Sequence, residues 1–157
     1  MNITKVRESI LVFLTHKVGM PYFKLVRKPL NFQYNLQQLS ELAPDTVGFH
    51  LYKFLDSNHL DLLPYYEKHD IKHILLDYPA TEKGEVCLQC FMLANGRCTL
   101  PVITAVLFGV ITMPEYWQSF KEAFIKGYRH QSLQDIDWFG LLTQPLEATK
   151  KLYLQPK

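Results

Sequence analysis

The 157-residue sequence has little cysteine, no strong charge of either sign, no internal repeat and no apolar run long enough to cross a bilayer. Three cysteines, Cys87, Cys90 and Cys98, make no disulfide framework, and their odd number suits a reducing compartment. Cys87 and Cys90 form a C-x-x-C, but no second pair completes a zinc tetrahedron, so they read as core packing. A net charge of +2 is too small to argue for nucleic acid. The longest apolar run, Leu100 to Met113, falls short of the ~20 residues of a spanning helix and reads as a buried one. No signal or transit peptide is visible: residues 10–14 are apolar, but Glu8 and His16 flank them and no small-residue cleavage site follows. The expected location is cytoplasmic, with peripheral contact to the inner membrane face.

What is present is a globular composition, 48% hydrophobic and 20% charged. Charge is uneven along the chain. Residues 1–29 hold six basic side chains (Lys5, Arg7, Lys17, Lys24, Arg27 and Lys28) against Glu8, and aromatic Phe13, Tyr22 and Phe23 lie among them. Such a segment suits an anionic membrane surface, or is simply a solvated face.

Apolar residues recur with period 3.6, and no convincing strand alternation interrupts them. The pattern predicts one compact all-α domain over residues 1–157, of about seven helices. A first amphipathic helix is expected over 3–17, with Val6, Ile10, Phe13 and Leu14 on one side. Residues 20–35 read as irregular or short-helical, broken by Pro21 and Pro29. Asn35 caps a short helix to Leu42, and Asp45 caps another to Ser57. The next opens near Leu62 or Pro64 and ends at Asp77, before Tyr78-Pro79. Thr81 caps a helix to Asn95, with Gly96 just beyond its end. The apolar helix starts at Thr99-Leu100-Pro101, another starts at Pro114, and Thr143 with Pro145 opens the last, to about Leu154. Trp117 and Trp138 read as packing anchors.

The chemistry concentrates in Lys68-His69-Asp70-Ile71-Lys72-His73 and the turn that follows. At about 100° per residue, His69, Asp70 and His73 share one helical arc of roughly 100°. Two imidazoles at i and i+4 can share one cation, the spacing used by helical H-E-x-x-H zinc sites. Asp70 is a third ligand or an orienter of a ring N–H. Beyond Pro79 the first turn of the next helix holds Glu82 and Glu85. Gly84, about 1 kcal/mol poorer than alanine in a helix, suggests close approach of the two helices. Glu85 heads a stripe continued by Leu88 and Met92, where a carboxylate is costly unless paired or metal-bound. From spacing alone a metal site, a hydrogen-bonded cluster and a solvated face all remain open.

The sequence resembles the ubiquinone-biosynthesis family called coenzyme Q protein four. The family's hallmark is H-D-x-x-H, eleven residues, then E; here these are His69, Asp70, His73 and Glu85. The segment from Leu42-Ala43-Pro44 through Gly48, then Leu51-Tyr52-Lys53-Phe54-Leu55, is similar to a second family block. Gly84-Glu85-Val86, Leu107-Phe108-Gly109 and Gln144-Pro145-Leu146-Glu147 resemble others, so the likeness covers roughly residues 40–154.

The resemblance implies a divalent metal at His69, Asp70, His73 and Glu85, zinc first and iron or manganese as alternatives. It implies a helical protein of quinone-lipid biosynthesis, acting on a polyprenylated aromatic ring precursor and removing or replacing its carboxylate, as a metal-dependent decarboxylase or lyase. Implied partners are isoprenoid lipid, the membrane surface, other quinone-biosynthesis proteins and a second copy of the chain; nucleic acid is not among them. The apolar helix, with Thr104, Gly109 and Thr112, could wall a slot for the prenyl tail. The alternative is a non-catalytic lipid-binding scaffold with a structural metal. An HD-type phosphohydrolase, drafting His50 or His59 with Asp135 or Asp137, leaves the Gly84-Glu85 match unexplained.

Overall fold

A computed structural model describes residues 32–157 and, before them, residues 6, 7, 9, 10, 13, 17 and 20–26. Most of the expected helix over 3–17, including Leu14, lies outside the described residues. Eight α-helices are described: α1 (Met20–Val26), α2 (Leu36–Ser40), α3 (Val47–Ser57), α4 (Glu67–Leu76), α5 (Glu82–Ala94), α6 (Leu100–Thr112), α7 (Trp117–Arg129) and α8 (Leu146–Tyr153). A 3₁₀ turn, Pro114–Tyr116, joins α6 to α7. Among the described residues there is no strand, only two isolated bridges, Thr46 with Pro145 and His130 with Pro156. The expected all-α class holds.

The chain divides into two compact units, residues 1–29 with 79–129 and residues 30–78 with 130–157. In the first unit α5 packs on both α6 and α7. It buries Val86, Cys87, Leu88, Cys90, Phe91 and Met92, so the C-x-x-C is core packing as expected. Burial pushes the Cys90 thiol up to about 12, with Cys87 adding to the shift, which keeps it protonated and unreactive. Gly109 of α6 meets α5 closely, since a Cβ there would stand 2.3 Å from Val86 Cγ1. At the far end, Asn95 Nδ2 donates to the Gly127 carbonyl of α7 at 3.1 Å. Arg7 is buried, bonded to the Glu115 carboxylate and the Thr112 carbonyl, and its Nη1 lies 3.7 Å from Glu82.

In the second unit α3 packs on α2 and α4, and α4 on α8. The first N–H groups of α3 have no intrahelical partners. The segment before α8 supplies them: Val47 donates to Gln144 O at 2.9 Å and Gly48 to Leu142 O at 2.8 Å. Leu39, Leu51, Leu55, Ile71, Leu75 and Leu142 are fully enclosed, and Trp138 fills the core beside them. Lys72 Nζ lies 5.0 Å from the centre of the Trp138 ring, a cation–π contact for a buried cation.

Cap chemistry was largely legible. Asn35 and Gln38 form a reciprocal capping box at α2, and Thr81 accepts the Gly84 N–H at α5. Gly96 has φ 99°, the left-handed conformation expected beyond α5. Several expectations need correction. The cap of α3 is Thr46, not Asp45; its hydroxyl oxygen accepts the Phe49 N–H at 3.3 Å. Pro21 lies inside the first turn of α1, where its missing N–H costs nothing, instead of breaking the chain. Helix α4 begins at Glu67, later than Leu62 or Pro64, because Tyr65 adopts φ 74°, which a right-handed helix cannot contain.

The largest correction concerns α6, expected to be buried. Only Val102 and Gly109 are, while Leu100, Leu107 and Ile111 are 54%, 53% and 74% exposed. An all-apolar helix has no polar face to mark its outside, so its sequence does not say which side is covered. Trp117 likewise is no packing anchor: it is 55% exposed, and its Nε1–H donates to the Val110 carbonyl at 2.7 Å.

Candidate metal centre

The amides of His69 and Asp70 donate to the Tyr66 carbonyl, at 2.8 and 3.0 Å, which starts the α4 ladder. One turn on, the i, i+4 spacing brings the rings of His69 and His73 to 4.7 Å between centroids, at 65°. Asp70 Oδ1 lies 3.2 Å from His69 Nδ1. A carboxylate only accepts, so Nδ1 donates and the lone pair of a neutral His69 ring sits on Nε2. In that position Asp70 can orient the His69 ring, one of the two places expected for it.

His73 is almost fully enclosed, 2% exposed, and its ring stacks on Phe54 of α3 at 5.3 Å and 23°. Its Nδ1 is 2.9 Å from the Tyr78 carbonyl oxygen. Neither neighbour was assigned a role from sequence, although Phe54 lies within the Leu51–Leu55 block that carried the family likeness. Glu67, also missed, is buried in the first turn of α4. Burial pushes its carboxyl above the ordinary range, and the charge of Asp70 adds to this, while backbone N–H groups at Glu67 and Tyr65 oppose it.

After the turn, Thr81 caps α5 and accepts the Glu85 N–H on its carbonyl at 2.8 Å. Gly84 is required there by the turn itself: a Cβ would stand 2.0 Å from the Pro79 carbonyl oxygen. The close approach inferred from this glycine is therefore to the Pro79 backbone, not to a second helix. Glu82, in the same first turn, is the carboxylate near Arg7.

One ligand atom each from His69, His73 and Glu85 lies within 4.8 Å of the others, and such a group could hold a metal ion. Neighbouring ligands on a tetrahedral zinc ion stand about 3.4 Å apart, inside the 4.8 Å that bounds this set. Two imidazole nitrogens and one carboxylate oxygen suit zinc, iron or manganese. With three protein ligands, a four-coordinate ion would take one further group.

No curated protein matches the sequence. The structure is similar to the crystal structure of a Nostoc punctiforme PCC 73102 protein provisionally named for ubiquinone biosynthesis, with TM-score 0.61 and 17% identity over 98% of this chain and 81% of that one. At that identity the likeness speaks for the fold. Residues 62–154, more than half of the chain and including all four residues of the H-D-x-x-H and E pattern, match the family described as coenzyme Q (ubiquinone) biosynthesis protein Coq4. This chain belongs to that family.

Proposed function

We propose that His69, His73 and Glu85 hold one divalent cation, zinc by preference, with Asp70 orienting His69. The protein then acts on a polyprenylated aromatic ring precursor of ubiquinone and removes or replaces its carboxylate. The observation that carries this reading is the close set of two imidazoles and one carboxylate in a chain of the Coq4 family. Loss of a ring carboxylate leaves an electron pair on the ring carbon, and a divalent cation on a neighbouring phenolate or carboxylate oxygen would stabilise that charge. The chain's own contribution is to hold three donors and leave one position open. Protein purified without chelator should carry about one equivalent of metal, as expected of such a three-ligand site, and His73→Ala should carry little. Equal metal content in both would remove the proposal. Carbon dioxide release from a prenylated hydroxybenzoate, by the wild type and not by His73→Ala, separates chemistry from a scaffold braced by metal.

The proposed working place is the surface of an anionic bilayer. No single helix among the described residues is long and apolar enough to cross one. The support is instead two exposed helical stripes in the first unit. On α6 one runs Leu100, Thr104, Leu107 and Ile111; on α7 the other runs Trp117, Lys121, Phe124 and Tyr128. Each set has the i, i+4, i+7, i+11 spacing of one helical stripe. Aromatic, aliphatic and basic side chains together suit the headgroup boundary. Gly109, where a helix or a prenyl chain could come close, is met by Val86 of helix α5.

A further inference from the structure

Helix α4 ends in an unusual way. Asp77, its C-cap, has φ 60° and ψ 39°, a left-handed conformation that a residue with a Cβ adopts at a cost. The turn folds the chain back on the last helical carbonyls. The His73 carbonyl accepts N–H bonds from both Asp77 and Tyr78, the latter at 3.0 Å. The Tyr78 carbonyl in turn stands 2.9 Å from His73 Nδ1. One residue, Tyr78, therefore holds both the backbone and the ring of His73. Lys150 Nζ of α8 reaches Asp77 Oδ1 at 2.6 Å, tying this turn to α8.

We propose that the left-handed turn at Asp77 and Tyr78 is a positioning device for His73. A backbone carbonyl can only accept, so Nδ1 carries the proton and a neutral His73 ring has its lone pair on Nε2. Stacking on Phe54 resists the ring rotation that would exchange the nitrogens. The ring is thus preset, before any cation arrives, as an Nε2 ligand. Asp77 and Tyr78 act through His73 and touch neither cation nor substrate. What matters at position 77 is the backbone conformation; the ion pair with Lys150 only supports it.

The inference rests on the metal reading for its consequence but not for its geometry, and the experiment keeps the two apart. Long-range ¹H–¹⁵N correlation spectra of the full-length, metal-free protein report which ring nitrogen of His73 bears hydrogen. Zinc affinity is measured in parallel by competition with a chromophoric chelator, with thermal unfolding as the folding control. Wild type and Asp77→Gly, which favours positive φ, should both show hydrogen on Nδ1 and bind zinc alike. Asp77→Val, whose branched side chain opposes positive φ, should lose that signature and bind zinc about 10-fold to 100-fold more weakly, the usual loss when a supporting partner of a metal ligand goes. Should Asp77→Val fail to fold, Asp77→Ala replaces it, with a smaller loss in the same direction. Lys150→Gln should change affinity less than about 3-fold, as expected of an exposed ion pair. Hydrogen on Nε2 in the wild type overturns the proposal. So does an Asp77→Gly protein as impaired as Asp77→Val, or a folded Asp77→Val protein that keeps wild-type tautomer and affinity. If no variant binds zinc, the metal reading fails, and the spectra still decide the turn's hold on His73.

Discussion

The two compact units use apolar surface differently. Of the thirteen large hydrophobic side chains exposed among the described residues, eleven lie in residues 1–29 with 79–129; the other unit exposes Leu60 and Leu152 alone. Charge divides the same way. The first unit holds 11 basic and 5 acidic residues, 11 − 5 = +6, and the second 6 and 10, 6 − 10 = −4, which together give the chain's +2. The first unit is thus both net positive and apolar at its surface, the two properties on which the proposed docking to an anionic bilayer rests. A unit that encloses its apolar residues can hold an imidazole in a dry, fixed place. The contrast sets a unit with exposed apolar stripes against one that encloses its apolar residues around His73.

The two tryptophans test the contrast most strongly. Trp138 is 2% exposed and Trp117 55%. Trp138→Ala should lower the unfolding free energy by about 3–5 kcal/mol, and Trp117→Ala by less than about 1 kcal/mol, both read from denaturant titrations. Equal losses would break the distinction between the two surfaces. Next in size is lipid binding. Leu107→Glu with Ile111→Glu should weaken sedimentation with phosphatidylglycerol vesicles at least about tenfold, since each buried aliphatic side chain contributes roughly 1.5–3 kcal/mol. Leu60→Glu with Leu152→Glu is the control in the other unit, expected to stay within about twofold because isolated surface apolar residues are ordinary. Comparable losses in both pairs would leave the docking face without support.

The caps sharpen the comparison on a smaller scale. Thr81→Ala in one unit and Thr46→Ala in the other should each cost about 1 kcal/mol, the usual worth of an N-cap hydroxyl, measured by thermal unfolding. The smallest effect concerns pH. The bond from Arg7 holds the Glu115 carboxyl below the ordinary carboxylate range. A carboxyl lowered in the folded state stabilises it fully above the unfolded value of 4.5. That contribution fades as pH falls through the folded value. Glu115→Gln should therefore unfold more easily than wild type at neutral pH, with the gap narrowing on acidification below about 4.5. A gap independent of pH would assign the effect to packing.

Much of this was legible because it is local. Asn35, Thr81 and Gly96 announce helix ends through hydrogen bonds and backbone angles that span a few residues. The pairing of His69 with His73 needs only the helical repeat. Where reading failed, the deciding partner lay elsewhere. Asp45 and Thr46 are both good caps, and the contacts of Val47 and Gly48 with the Leu142–Gln144 segment select Thr46. Gly84 signalled a close approach correctly, but not that the Pro79 carbonyl was the neighbour. Phe54 carries no mark that distinguishes a ring stacked on a histidine from any other helical phenylalanine.

By itself the amino-acid order determined a helical protein, most of its helix ends, its family and two imidazoles on one helical face, since helices and their caps are set by neighbours along the chain. Tertiary structure alone decided which side of Leu100–Thr112 meets solvent, that Glu67 and Lys72 are enclosed, and that Phe54 stacks on His73. Those outcomes depend on what another segment covers or carries to the same place, and no periodicity records it.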